Sequence, residues 1–217
     1  MISCYNLSDS ALKGDRRVYR NLTKRLLDFV LSACGIIVLA VPMAVVAFIV
    51  KADSPGPVLF RQRRVGKGGR CFNILKFRSM SVDAPKDTPT HQLVGAESYL
   101  TRWQRFIRET SIDELPQLFN IFKGDMSVIG PRPALWNQYD LIAEREKYGA
   151  NNVRPGLTGW AQINGRDELS IAEKARLDGE YVRRLSFAFD CKCFFGTFGK
   201  VLRGDGVIEG KQETAKR

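Results

Sequence analysis

The sequence predicts a mostly helical α/β chain with a broken membrane helix near its N-terminus, amphipathic helices after it, and one small β-hairpin. Three observations carry this. Phe29–Val50 is a run of 22 residues without Asp, Glu, Lys or Arg. Helix signals, either apolar residues at helical spacing or a capping pair, recur at 98–108, 110–124, 170–185 and 187–202. Two short apolar segments, Val58–Phe60 and Cys71–Leu75, flank a Gly- and Arg-rich stretch and suit an extended pair.

Composition narrows the chemistry. The 217 residues suit one catalytic-sized domain, or a smaller domain with an anchor. Thirty-four Lys and Arg against 23 Asp and Glu give a net charge of +11, which points to an anionic partner: nucleic acid, anionic lipid or a phosphorylated substrate. The five cysteines lack CxxC spacing, which disfavours a disulfide scaffold and a paired-CxxC zinc site. The single histidine, His91, leaves no room for a multi-histidine metal site.

Residues 1–20 form a polar lead-in, and the membrane segment covers 21–52. At about 1.5 Å per residue the apolar run reaches ~33 Å, enough for a bilayer core. Nearly thirty residues precede it and no small-residue cleavage site follows, so it is not a signal peptide. Its length and apolarity disfavour the buried central helix of a soluble core. Six basic residues precede the run (Lys13, Arg16, Arg17, Arg20, Lys24, Arg25) and six follow it (Lys51, Arg61, Arg63, Arg64, Lys67, Arg70), so both flanks have cytoplasmic character. Pro42 lacks the N–H that would bond the Val38 carbonyl, which marks a break at Val41-Pro42. The halves Leu26–Val41 and Met43–Val50 would be about 24 and 12 Å long, each short of a crossing. The residues alone leave open a kinked spanning helix and a re-entrant one, the latter requiring partners for the backbone groups freed at the bend.

Beyond the membrane segment, Asp53–Pro57 is a helix-ending turn, and the GKGG of the hairpin lacks the spacing of a phosphate loop. Ser81–Glu97 is a surface loop. In Ser98–Arg108, Leu100, Trp103, Phe106 and Ile107 share a helical face, taken as core-facing, with arginines that suit phosphate. Thr110–Gly124, TSIDELPQLFNIFKG, is expected to be one helix opened by a Ser111/Glu114 capping box, which alone would explain the acidic pair. Adjacent helical residues sit about 100° apart, so Asp113 and Glu114 would divide their labour. Lys123–Pro133 and Arg154–Arg166 place arginines among Gly and Pro on stiff loops, a setting for bidentate phosphate recognition. Ser170–Leu185 opens with a Ser170/Glu173 capping box, and Phe187–Leu202 carries five phenylalanines suited to an interface. A polar tail closes the chain.

The ordered set KRLLD (24–28), LKFRSM (75–80), TSIDELPQLFN (110–120), KGDMSVIGPRP (123–133) and RPGLTGWAQINGR (154–166) resembles the bacterial sugar transferases known as monotopic polyprenyl-phosphate phosphoglycosyl transferases, in their small form. The match runs from Lys24 to Gly206. It implies a fold in which the membrane helix-break-helix is re-entrant from the cytoplasm and interfacial helices surround a small β-hairpin. It also implies a cytoplasmic catalytic domain over 53–205, a tail over 206–217, and a place on the cytoplasmic face of the bacterial inner membrane. The implied reaction transfers a phosphosugar from a UDP-sugar to undecaprenyl phosphate, with UMP released and undecaprenyl diphosphate-sugar formed. Carried over by position, Asp113 is the nucleophile that forms an aspartyl-phosphosugar intermediate, Glu114 assists, and Asp113 and Glu114 meet Mg²⁺. An aspartate of ordinary pKa near 3.9 is ionised at neutral pH and needs no histidine base. Arg132 is the first candidate to clamp phosphate, followed by Arg108, Arg154, Lys76 and Arg78. The implied partners are the UDP-sugar, undecaprenyl phosphate and inner-membrane lipid, with no nucleic acid; the residues permit a homodimer without demanding one. Where the family has Ser-Pro at the helix break this chain has Val41-Pro42, so another donor, or packing alone, has to hold the bend. Competing readings are a glycosyltransferase that releases UDP, and a non-catalytic basic module that binds anionic lipid or nucleic acid and gives DELPQ no role.

Overall fold

A computed structural model describes residues 18–85, 87–88, 95–165 and 168–203. Most of the lead-in, the 206–217 tail, part of the 81–97 loop, and Lys13, Arg16, Arg17, His91 and Arg166 lie outside the described residues.

Helix α1 spans Lys24–Val38, preceded by a π-helical turn at Tyr19–Thr23, and α2 spans Ala40–Asp53. The pair bends by 63°. The break lies at Leu39 (φ −93°, ψ 6°) rather than at Val41-Pro42. Pro42 falls in the first turn of α2, where an N–H has no intrahelical acceptor and its loss costs little. At 15 and 14 residues the helices are about 22 and 21 Å long. No described helix is long and apolar enough to cross a membrane by itself.

Packing holds the bend. Leu39, Met43, Val46, Ala47 and Val50 lie against Phe77, Ile107, Ile112 and Leu115. Val41 itself is exposed. At Gly35 a Cβ would sit 3.2 Å from Leu118 Cδ1, so α1 approaches α4 (Gln117–Lys123) closely there.

The KRLLD residues dock α1 on the rest of the chain. Arg25 donates to the carbonyls of Ile121 and Phe122 at 2.7 and 2.8 Å, near the C-terminal end of α4. Asp28 Oδ1 accepts from Ser127 Oγ at 3.0 Å and Val128 N at 2.9 Å. Lys24 Nζ sits 2.6 Å from Asp190 Oδ2, which also accepts from Tyr19 Oη. Lys24 and Arg25, two of the six basic residues that precede the apolar run, are held in these internal contacts, so the count of basic residues overstates the outward-facing charge on that flank.

Strands β1 (Leu59–Val65) and β2 (Cys71–Phe77) form an antiparallel hairpin in register from Leu59↔Phe77 to Val65↔Cys71. β1 is longer than its apolar run because its more enclosed positions include Gln62 and Arg64, which hides the alternation. Gly68 and Gly69, at φ 65° and 76°, turn the chain. A second, unexpected sheet pairs β3 (Ser127–Ile129) with β4 (Gly156–Thr158) in parallel. The two Gly/Pro/Arg segments are therefore partners. A Cβ on Gly156 would lie 2.1 Å from Gly130 N, and one on Gly130 would lie 2.6 Å from the Arg154 carbonyl.

Helix α3 (Arg102–Glu109) starts at a Thr101/Gln104 capping box, and of its expected core face only Ile107 is buried; Trp103 and Phe106 are about half exposed. Helices α5 (Tyr139–Glu146), α6 (Trp160–Ile163) and α7 (Ile171–Arg184) follow, α7 opening with the expected Ser170/Glu173 box. In α8 (Phe187–Arg203), Phe189 and Cys193 are buried with Ile129, Val153, Tyr181 and Leu185, whereas Phe187, Phe194 and Phe195 are exposed.

Candidate active site

The Thr110–Gly124 segment is not one helix, and Ser111 does not cap it. Ser111 takes a left-handed conformation (φ 57°), alone among the described non-glycine residues. A 3₁₀ turn over Ile112–Glu114 follows, and Pro116 leads into α4. The capping explanation for the acidic pair therefore fails, since the Ser111 side chain makes no capping bond. A left-handed non-glycine residue is strained by about 1 kcal/mol or more, and such strain persists where the surroundings over-determine it. Here it turns Asp113 and Glu114, both buried, into one cavity of about 760 Å³.

Asn120 aligns this turn with the hairpin: its Oδ1 accepts from Leu75 N and its Nδ2 donates to the Asn73 carbonyl, each at 2.9 Å. Lys76 on β2 then lies between the carboxylates, with Nζ 2.7 Å from Glu114 Oε1 and 3.7 Å from Asp113 Oδ2. Arg132 Nη2 also reaches Glu114 Oε1, at 2.7 Å. Ser79 Oγ donates to Asp113 Oδ2 at 3.3 Å and accepts from Arg108 Nη1 at 3.4 Å. The carboxylates are thus unequal, as their adjacency suggested: Glu114 binds two cations closely, and Asp113 rests against a hydroxyl. Burial pushes the Asp113 carboxyl above its ordinary value of 3.8; Lys76 works against that shift and the neighbouring Glu114 adds to it.

Of the five predicted cations, Lys76, Arg108 and Arg132 converge on the acidic pair. Arg78 lines the cavity, yet its guanidinium is bound to the carbonyls of Val50, Ser54 and Pro55 and to Ser54 Oγ, at 2.6–3.1 Å. It ties β2 to the end of α2 and is no phosphate clamp. Gly56 permits this: a Cβ there would meet Arg78 Nη1 at 2.1 Å. Arg154 is turned away and donates to the Gly124 carbonyl at 3.0 Å. Sequence reasoning missed Ser79, which sits inside a quoted motif, and Arg64. Arg64 Nε donates to Gln62 Oε1 at 2.9 Å and Nη1 to the Pro133 carbonyl at 2.9 Å. Burial and the adjacent Arg132 push its guanidinium down to about 9, still charged at neutral pH. Among the described lining residues, eight are Lys or Arg and two are acidic, so the cavity suits an anion with several negative charges.

No group of three or more His, Cys, Asp or Glu suited to a metal occurs among the described residues. Two adjacent carboxylates nonetheless fit Mg²⁺ in the way phosphate-handling sites use it, with one or two protein carboxylates and the remaining ligands from phosphate and water.

Residues 19–204 match the family model described as bacterial sugar transferase. The chain is 40% identical over 199 residues to the uncharacterized sugar transferase EpsL of Bacillus subtilis (strain 168), a match covering 90% of this chain and 95% of that protein. It is 39% identical over 207 residues to the UDP-glucose:undecaprenyl-phosphate glucose-1-phosphate transferase of Escherichia coli (strain K12), covering 89% and 42%. With the UDP-N-acetylgalactosamine-undecaprenyl-phosphate N-acetylgalactosaminephosphotransferase of Aeromonas hydrophila it shares 38% identity over 190 residues, covering 85% and 44%. The chain thus spans nearly all of the first relative and less than half of the other two.

Proposed function

This chain belongs to the bacterial sugar transferase family, and from that premise we propose that it moves a phosphosugar from a UDP-sugar to undecaprenyl phosphate, releasing UMP and forming undecaprenyl diphosphate-sugar. The observation that carries this is the buried Asp113–Glu114 pair inside a cavity walled by cations. The relatives named for transfer of glucose 1-phosphate and of N-acetylgalactosamine phosphate to undecaprenyl phosphate support it.

Asp113 is the nucleophile. Its carboxylate oxygen bonds to the β-phosphorus as the bond from that phosphorus to the bridging oxygen breaks, and UMP leaves with the bonding electrons. A phosphate oxygen of undecaprenyl phosphate then attacks the same phosphorus and returns the carboxylate. Desolvation favours the first step because a buried carboxylate lacks the water shell that would blunt it. Like-charge repulsion opposes it, and Lys76, Arg108 and Arg132, the cations that converge on the acidic pair, offset this at the phosphoryl oxygens. Glu114 holds Lys76 and Arg132 in place through its 2.7 Å contacts. Asp113 and Glu114 would hold Mg²⁺, which when bound neutralises charge on the diphosphate.

The bent α1–α2 pair enters the cytoplasmic leaflet of the inner membrane and returns. Ile37, Val38, Val41 and Phe48 are each 73–75% exposed, an exposure that water would penalise and lipid would not. Trp103, Phe106, Phe187 and Phe195 are exposed as well. A long polyprenyl chain is thereby received from lipid while the nucleotide sugar arrives from water.

The test is the nucleotide released when the purified chain meets undecaprenyl phosphate, Mg²⁺ and a panel of donors including UDP-glucose and UDP-N-acetylgalactosamine. UMP that disappears with Asp113→Asn is expected. Release of UDP would instead mean transfer of the sugar alone and would overturn the reaction proposed.

A further inference from the structure

Ser79 sits between a cation and the Asp113 carboxylate. Its Oγ donates to Asp113 Oδ2 at 3.3 Å and accepts from Arg108 Nη1 at 3.4 Å. The side chain is buried and lines the cavity. A guanidinium has donors only, so Arg108 takes up a lone pair of the hydroxyl and leaves its single hydrogen for Asp113. A hydroxyl aimed in this sense bonds an ionised carboxylate more strongly than a neutral acceptor.

The backbone holds Ser79 for this contact. Arg78 N donates to the Val58 carbonyl and Ser81 N to the Tyr99 carbonyl, each at 2.9 Å. The Arg78 guanidinium, bound to the carbonyls of Val50, Ser54 and Pro55, anchors the same stretch to the end of α2. The hydroxyl is therefore presented from a segment clamped on both sides.

The contacts of the Asp113 carboxylate are one-sided. Ser79 and Lys76 both approach Oδ2. Oδ1 makes no hydrogen bond among the described residues, yet it is not one of the buried side-chain atoms left without a partner, so it keeps surface open to the cavity.

Resting on the reaction proposed above, we propose that Ser79 is a positioning residue: its hydroxyl pins Oδ2 of Asp113 so that Oδ1 is the oxygen that attacks the β-phosphorus. As Oδ1 bonds to phosphorus, Oδ2 becomes the carbonyl oxygen of the acyl phosphate and still accepts from the hydroxyl. When the acceptor phosphate displaces Asp113, the bonding electrons return to the carboxylate, whose charge Ser79 meets again. One contact thus keeps the carboxylate in a single orientation through both transfers.

The test measures kcat and KM of the full chain, with UDP-glucose or UDP-N-acetylgalactosamine as donor, in Ser79→Ala, Ser79→Thr and Ser79→Val. The Ala variant is expected to lower kcat by about 10- to 100-fold, the range for a lost hydrogen bond to a charged group, with KM for the donor unchanged within about twofold. Ser79→Thr keeps the hydroxyl and should retain most of kcat, whereas Ser79→Val has the same shape without it and should fall with Ala. The Ala result decides alone if the larger side chains do not fold. An Ala variant with wild-type kcat overturns the proposal. So does a loss that falls on KM, which would make Ser79 a donor-binding residue, and so does a folded Thr variant no better than Val. A wild type that releases no UMP would overturn the proposed reaction, and an active Asp113→Asn variant would overturn the nucleophile; neither outcome depends on Ser79.

Discussion

At the scale of single residues, Asp113 is held in a costly state. Its carboxyl is buried and its folded pKa lies above the ordinary 3.8. Between those two values the unfolded chain binds fewer protons than the folded one, so stability falls as pH rises through that window. Asp113→Asn is therefore expected to abolish turnover and to raise the melting temperature at neutral pH, measured by thermal denaturation beside an activity assay. The proposed attack needs the ionised form, so turnover should fall on the acid side at a pH above the ordinary carboxylate range, which a pH–rate profile on kcat would reveal. Arg132→Leu should lower kcat by about 10²-fold, the magnitude of one lost electrostatic stabiliser; a change confined to KM would contradict its role at the phosphoryl group. Asp113, Glu114, Lys76 and Arg132 were legible as residues from their motifs, and Arg108 from the arginines set along the Ser98–Arg108 segment. Arg78 was misjudged, because a guanidinium bound to three backbone carbonyls looks the same in sequence as one facing phosphate.

At the scale of elements, the long-period patterns were readable and the short irregular pieces were not. The capping box of α7 and the hairpin of β1 and β2 follow from local spacing. The β3–β4 pair joins segments about thirty residues apart whose Gly and Pro suggested loops. Its glycines serve close backbone approach, so Gly156→Ala should destabilise the fold by several kcal/mol, measurable by denaturant unfolding, because a Cβ has no room 2.1 Å from Gly130 N. The helix break illustrates the same limit: proline marked the neighbourhood, but packing around Leu39 sets the bend. Pro42→Ala is accordingly expected to change stability by less than about 1 kcal/mol, as suits a proline in a first turn. A larger loss on unfolding would return the break to Pro42.

At the scale of the whole molecule, the bent helix pair and the cationic cavity meet at β2, whose Phe77 packs against α2 while Lys76 turns to the carboxylates. The helix pair proposed to enter the membrane and the carboxylates proposed to carry the chemistry are thus linked by adjacent residues of one strand. Phe48→Glu, on the exposed face of α2, should lower partition into anionic vesicles by at least tenfold without altering the Asp113 site, as flotation would show. The +11 charge was legible from composition alone, but only the fold divides it into cations that line the cavity and cations such as Arg25 that hold helices together. The most direct measurement is intact-protein mass spectrometry after mixing the chain with its UDP-sugar and Mg²⁺ in the absence of undecaprenyl phosphate. The account predicts an added mass equal to one phosphosugar, mapped to Asp113, absent in Asp113→Asn and discharged on adding undecaprenyl phosphate. An active enzyme that never carries that mass, or carries it on another residue, would contradict the account.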